Sequence, residues 1–169
     1  MRDAISLPRC QLLHPKIREE AILAVEDAEL KFPPNMAIRV AQGLRTIAEQ
    51  DALYAQGRTA PGVIVTKAFG GRSFHNYGLA IDFAILHDKD GNGTFEELSW
   101  DTALDFDKNG KIDWQDVVKS FEDRGWEWGG KWRTFKDLPH VQKNFGYTWE
   151  QLLKKHQKKD FISGTYVNI

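Results

Sequence analysis

The chain has 169 residues, with 23 lysines and arginines against 24 aspartates and glutamates, a formal charge of −1. At that length one domain with a real core is the default, and 41% hydrophobic and 12% aromatic residues make the chain too apolar to be disordered. Near-neutral charge argues against a dedicated nucleic-acid binder, no apolar run approaches the roughly 18 residues that span a bilayer, and one cysteine, Cys10, excludes an internal disulfide framework. The stretch Met1 to Pro8 lacks a long apolar segment, so the expectation is synthesis in the cytoplasm without a signal peptide.

A first helix is expected from about Pro15 to Lys31, with Ile17, Ala21, Ala24 and Ala28 on one face and Pro33-Pro34 as its stop. His14 reads as a residue at that helix start. Met36, Ile38 and Val40 alternate with Ala37 and Arg39 as in a half-buried strand. Thr46 and Glu49 form a capping box that opens a helix ending near Gly57. Val63 to Thr66 reads as a short strand, and Leu79 to Leu86 as a buried one carrying a single charge, Asp82. An acidic, loop-rich section runs from Asp88 to Asp116, followed by a helix to about Arg124 with Gly125 as its stop. Trp126 to Trp128 is a strand candidate, and Thr148 with Gln151 opens a last helix. Helices and short strands mix without a βαβ rhythm, which favours a single α+β domain over 1–169.

Asp82 is the first anomaly, since all its neighbours from Leu79 to Ile85 are apolar. A buried carboxylate is costly unless a cation meets it, either a buried arginine or a metal. His75 lies seven residues earlier, and Asn76-Tyr77-Gly78 can turn the chain back over the strand. Asp137-Leu138-Pro139-His140 adds a second histidine and a second carboxylate. Two histidines and one carboxylate make a three-ligand zinc set with an open position, as in catalytic zinc sites. Asp137 is then placed to act as a base on water.

Ser73-Phe74-His75-Asn76-Tyr77-Gly78-Leu79-Ala80-Ile81-Asp82 resembles the S-x-H-x-x-G-x-A-x-D signature of the M15 zinc peptidases, the VanY/VanX-like group. Asp137 to His140 is similar to the second half of that site. Leu44-Arg45-Thr46, Glu49-Gln50 and Leu53 to Thr59 resemble the branch of phage endolysins and CwlK-like enzymes, which cleave the L-alanyl–D-glutamate bond of peptidoglycan stem peptides. The resemblance implies a small antiparallel sheet flanked by helices, as in Hedgehog and DD-peptidase domains. It implies zinc on His75, Asp82 and His140, Asp137 as base, Arg45 steadying the oxyanion or a substrate carbonyl, and Ser73 on substrate or ligand. It further implies a monomer without stable membrane insertion that acts on the periplasmic wall after release. Two rivals remain. One is a D-alanyl-D-alanine carboxypeptidase or dipeptidase, whose branch carries glutamate at position 137. The other is a zinc-stabilised binding module without catalysis.

Two loops in the acidic section fit the opening of an EF-hand loop, D-x-[DN]-x-[DN]-G. The second carries Asp105, Asp107, Asn109, Lys111 through its carbonyl, Asp113 and Asp116 at positions 1, 3, 5, 7, 9 and 12. The first carries Asp88, Asp90, Asn92, Thr94 and Glu96, with Ser99 at position 12. Calcium is therefore expected in an insert over 88–116, and Glu96 to Leu104 is expected as a shared connecting helix. The alternative is a pair of Asx-rich surface turns. Trp126, Trp128 and Trp132 are read either as core or as a rim that stacks on glycan.

Overall fold

The computed structural model describes residues 1–169. Two helices open the chain, α1 (Ser6–Gln11) and α2 (Arg18–Glu29), followed by strand β1 (Met36–Gln42) and helix α3 (Ile47–Ala55). Strands β2 (Ala80–His87) and β3 (Glu97–Ser99) precede α4 (Asp113–Glu122), β4 (Glu127–Trp128), β5 (His140–Gln142) and α5 (Trp149–Gln157). A hairpin of β6 (Phe161–Ile162) and β7 (Tyr166–Val167) closes the chain. The result is an α+β fold built on one antiparallel sheet. No helix is long and apolar enough to cross a membrane.

β2 is the centre of the sheet. β1 covers one edge along most of its length. On the other edge β5 pairs with Ala80, Ile81 and Asp82, and β3 pairs with Ile85, Leu86 and His87. Alternation then sorts the faces. Ile81, Phe83 and Ile85 join Ile38, Val40 and Val141 in a core against Ala21, Ala24, Val25 and Ala28 of α2 and Trp114, Val117 and Phe121 of α4. Asp82 and His140 fall on the opposite face, as direct cross-strand partners.

The capping boxes at Thr46 and Thr148 form as their sequences predict, with each threonine accepting from the backbone of the residue three on. Gly125 takes φ +74° beyond α4, where a side chain would be strained.

Three expectations are corrected. The helix expected first, from Pro15, is α2 and begins at Arg18, preceded by the unexpected α1; between them His14 is fully buried and its backbone N–H donates to the Gly78 carbonyl. Its ring Nε2 also meets the Val167 carbonyl at 3.0 Å, tying the start of the chain to its end. Val63 to Thr66 is not a strand: Val63, Ile64 and Val65 are all exposed and no neighbouring strand pairs with them. β-branched side chains favour a pleated surface only where a partner supplies one. Glu96 to Leu104 forms no helix; Glu97–Ser99 is β3, which completes the edge of β2 that three-residue β5 leaves open.

Candidate active site

The site is assembled at the cleft-facing side of the sheet. Ser73 caps a short 3₁₀ turn, Phe74–Tyr77, and Gly78 leaves it with φ +66°. A Cβ at Gly78 would lie 2.8 Å from the His14 nitrogen, so only glycine allows this reversal. The turn carries His75 back over β2. There its Nε2 lies 3.2 Å from Asp82 Oδ1 and 3.2 Å from His140 Nδ1, while His140 Nδ1 lies 3.1 Å from the same Asp82 oxygen.

The remaining ring nitrogens fix the proton positions. His75 Nδ1 lies 2.8 Å from the Gly43 carbonyl, which can only accept, so Nδ1 donates and Nε2 presents a lone pair. Gln142 Nε2 donates to Glu127 at 3.1 Å, which turns Gln142 Oε1 toward His140 Nε2 at 3.0 Å. His140 therefore donates through Nε2 and presents its own lone pair at Nδ1. In these tautomers two lone pairs and a carboxylate oxygen converge. A positive charge bound among them, a metal ion or a proton, would offset their mutual repulsion. Zinc–nitrogen bonds of about 2.0–2.1 Å at tetrahedral angles put ligand atoms about 3.3 Å apart, close to the edges observed. The residues fit the metal, and the carbonyl and glutamine behind the two rings are the orienting partners that metal-ligating histidines require.

Electrostatics agree. Burial opposes charge on Asp82, yet His75 and His140 overcome it and hold the carboxyl far below the usual range. Burial likewise disfavours charge on His140, but Asp82 reverses the sign and raises its pKa. The cluster attracts positive charge.

Around it opens a cleft of about 830 Å³ lined by Arg45, Arg72, Ser73, Trp132 and Asp137, among others. The Arg45 backbone N–H donates to the His75 carbonyl at 3.0 Å. Its guanidinium donates to Gln50 at 2.8 Å and stands 3.7 Å from Asp82 Oδ2. Ser73 lines the cleft while its hydroxyl accepts from the His75 N–H at 3.4 Å. Asp137 is half-buried and outside the ligand triangle. Burial, and then the Asp82 charge, push its carboxyl above the usual range, as suits a group that must take up a proton.

Several supporting residues carry no sequence signal. The indole N–H groups of Trp114 and Trp128 both donate to the Leu138 carbonyl, at 3.2 and 2.8 Å, and so clamp the turn between Asp137 and His140. Trp126 is buried in the core, whereas Trp132 lies beside the His140 ring, with centroids 5.1 Å apart. Gly129 packs against the same turn and accepts from the Asp137 N–H at 3.2 Å.

In the acidic section, oxygens of Asp88, Asp90 and Glu96 gather within 4.8 Å of one another, and so do those of Asp105, Asp107 and Asp113. Asn92 and Asn109 each sit inside their loop, hydrogen-bonded to Asp90 and Asp107. Thr94 bonds to Asn92, and the Lys111 N–H bonds to Asn109. Asp116 stands apart from the second group, 3.8 Å from Lys31. Between the loops, the His87 ring stacks on Phe106 with centroids 4.1 Å apart.

A model of D-alanyl-D-alanine carboxypeptidases in the M15 peptidase family matches residues 66–143, the stretch that holds all three convergent ligands and Asp137. The peptidoglycan L-alanyl-D-glutamate endopeptidase CwlK of Bacillus subtilis (strain 168) is 48% identical over 132 residues, 77% of this chain and 72% of that protein. The crystal structure of the Serratia marcescens L-Ala D-Glu endopeptidase ChiX superposes with a TM-score of 0.52 at 24% identity, over 84% of this chain and 88% of that one, and so shares the fold. A site of these residues, in this fold, at this level of identity, places the chain in the M15 family of peptidases.

Proposed function

We propose that the chain is a zinc-dependent endopeptidase that hydrolyses the L-alanyl–D-glutamate bond of peptidoglycan stem peptides. The observation that carries the reading is the convergence of His75, Asp82 and His140 lone pairs in a cleft that also presents Asp137 and Arg45. The identity to a relative bearing that activity supports the choice of bond.

His75, Asp82 and His140 hold the metal. Zinc bound there supplies Lewis acidity, polarising a carbonyl and acidifying water. Asp137 takes the proton of the attacking water as its oxygen adds to the alanyl carbonyl carbon. It then passes that proton to the departing glutamate nitrogen as the C–N bond breaks. Arg45, held by Gln50, offers positive charge to the carbonyl oxygen as negative charge develops there. Ser73 contributes a hydroxyl on the cleft wall, and Trp132 shields one face of His140 from water.

The acidic insert over 88–116 binds calcium. Hard oxygen ligands gather in each loop, and Gly93 and Gly110 take φ of +88° and +85° at the sharp turn such loops require. Burial and the neighbouring Asp107 and Asp105 charges push the Asp113 carboxyl up, a strain that a divalent cation relieves. Asp116, paired with Lys31, leaves the second loop short of its last ligand. The chain acts as one monomeric domain on the peptidoglycan wall.

The test is mass spectrometry of purified peptidoglycan after incubation with the protein, zinc and calcium. Fragments with a new amino terminus on D-glutamate are the expected result. Release of free D-alanine would move the chain to carboxypeptidase action, and no cleavage with zinc bound would make it a binding module.

A further inference from the structure

Arg72 is placed on the cleft wall by the same turn that presents His75. The backbone on either side of it is fixed: the Gly71 and Ser73 N–H groups both donate to Asn76 Oδ1, at 3.0 and 3.3 Å, and the Gly71 carbonyl accepts from the Tyr77 hydroxyl. The guanidinium lies over two rings, 3.8 Å from the Phe69 centroid and 4.6 Å from that of Trp149. The aromatic contacts take none of its N–H donors into a hydrogen bond, and those donors bind a carboxylate in a fork.

Those edges are unspent. Of the other arginines on this side, Arg45 donates to Gln50 and faces Asp82, and Arg58 donates to the Tyr54 and Thr66 carbonyls. Arg72 meets no carboxylate and no carbonyl of its own chain, although it lines the cleft. An exposed guanidinium held over two rings on the wall of the same cleft, without an internal partner, suits an anion that arrives with the substrate.

The chemistry of the substrate supplies that anion. A glutamate whose amine lies in the scissile bond has two carboxyls. Chain continuation consumes one and leaves the other as a free carboxylate next to the bond to be cut. We infer that Arg72 is a specificity-determining residue, binding this free carboxylate of the residue on the leaving side of the scissile bond. The inference rests on the endopeptidase reading above and deepens it. Arg45 is thereby left to the carbonyl oxygen, so the two cations divide the work.

The experiment uses two synthetic stem peptides that differ only at that carboxyl, free acid in one and primary amide in the other. The wild-type protein, loaded with zinc, is expected to favour the acid by about 10-fold to 100-fold in kcat/KM, the range of a hydrogen-bonded charge contact. Arg72→Gln is expected to bring the acid-to-amide ratio close to one, chiefly by loss on the acid. Arg72→Lys is expected to keep part of the preference, having charge without the planar fork. Equal loss on both peptides in Arg72→Gln, with the acid preference intact, would reduce Arg72 to a structural role and overturn the inference. Wild-type cleavage of acid and amide at equal kcat/KM would overturn it alone and leave the endopeptidase reading standing. Cleavage of neither peptide at the alanyl–glutamate bond would overturn both.

Discussion

Gly129 sits in no motif and touches no substrate, yet the structure makes it a hinge of the site. An alanine Cβ there would lie 2.5 Å from the Asp137 carbonyl oxygen, 3.1 Å from the Asp137 Cβ and 3.3 Å from the His140 Cβ. Backbone conformation is no obstacle at Gly129, because its φ is not in the positive range. The clash alone acts, and it is with backbone that cannot swing aside. Reaching even 3.0 Å, a distance real Cβ contacts essentially never undercut, requires the Asp137 to His140 turn to retreat by about half an ångström. That turn is pinned from behind by Trp114 and Trp128 on the Leu138 carbonyl, so the strain falls on the catalytic side. Overpacking of this kind costs about 1–3 kcal/mol, or a fall in Tm of about 2–12 °C for a chain of this size. Since a misplacement of about 1 Å costs about 100-fold in rate, half of it sets the expected loss in kcat near 10-fold. The assay is zinc content, Tm and kcat of Gly129→Ala beside Gly125→Ala. Gly125 has φ +74° and nothing within 4 Å of its added Cβ, so that variant loses stability through backbone strain without touching the site. If Gly129→Ala loses no more kcat and no more zinc than Gly125→Ala, the steric argument is wrong.

Asp137→Asn keeps the shape of the side chain and removes the base. Zinc content by atomic absorption is expected to stay at one per chain while kcat falls by about 100-fold to 10,000-fold; retained turnover would dismiss Asp137 as the base. Removing calcium with a selective chelator, zinc being retained, is expected to lower Tm and activity together, because the carboxylates of Asp105, Asp107 and Asp113 then repel. Unchanged Tm and activity would reduce both loops to surface turns. Far from the site, Asp3 accepts from Arg39 at 2.7 and 3.0 Å and from the Ser6 hydroxyl. Burial opposes its charge, but Arg39 and Ser6 prevail and depress its pKa. A depressed carboxyl contributes stability that is complete above its unfolded value and lost as pH falls through the folded one. Chemical denaturation at a series of pH values should therefore show a steeper loss below about pH 4 in the wild type than in Asp3→Asn. Parallel curves would refute the assignment.

The sequence announced the residues of the site better than their arrangement. Asp82 was conspicuous because its strand is otherwise apolar, and the structure explains why: alternation sends it to the face away from the α2 and α4 core. His75 was legible through the glycine that must follow its turn, and Gly78 does take positive φ. What local pattern could not reveal is the register that sets His140 opposite Asp82, since 58 residues separate them. The Gly43 carbonyl and the two indoles that hold Leu138 were invisible for a related reason: a backbone oxygen has no sequence signature, and buried tryptophans look alike whether or not their N–H groups matter. Val63 to Thr66 has strand propensity but no neighbouring strand to pair with, so none forms. Glu97–Ser99 is a strand because β5 is short and leaves an edge of β2 open, a length no local pattern in Glu96 to Leu104 encodes.

β2 connects the two halves of the molecule's chemistry. Its first three residues pair with β5 and carry Asp82 into the ligand triangle. Its last three pair with β3 and end at His87, whose ring stacks on Phe106 inside the second acidic loop. Phe106 in turn donates its backbone N–H to Asp113, the buried carboxylate that links the loop to α4. α4 then leads to β4, Gly129 and the turn bearing Asp137 and His140. The acidic section thus lies in sequence between Asp82 and His140, and in space it grips both the strand that bears one and the helix that leads to the other. Because His75 and His140 are 65 residues apart, the triangle exists only in the folded chain, and a metal held there would be thermodynamically linked to folding. Whatever tightens the connection from His87 through Phe106 to α4 lowers the cost of closing that triangle.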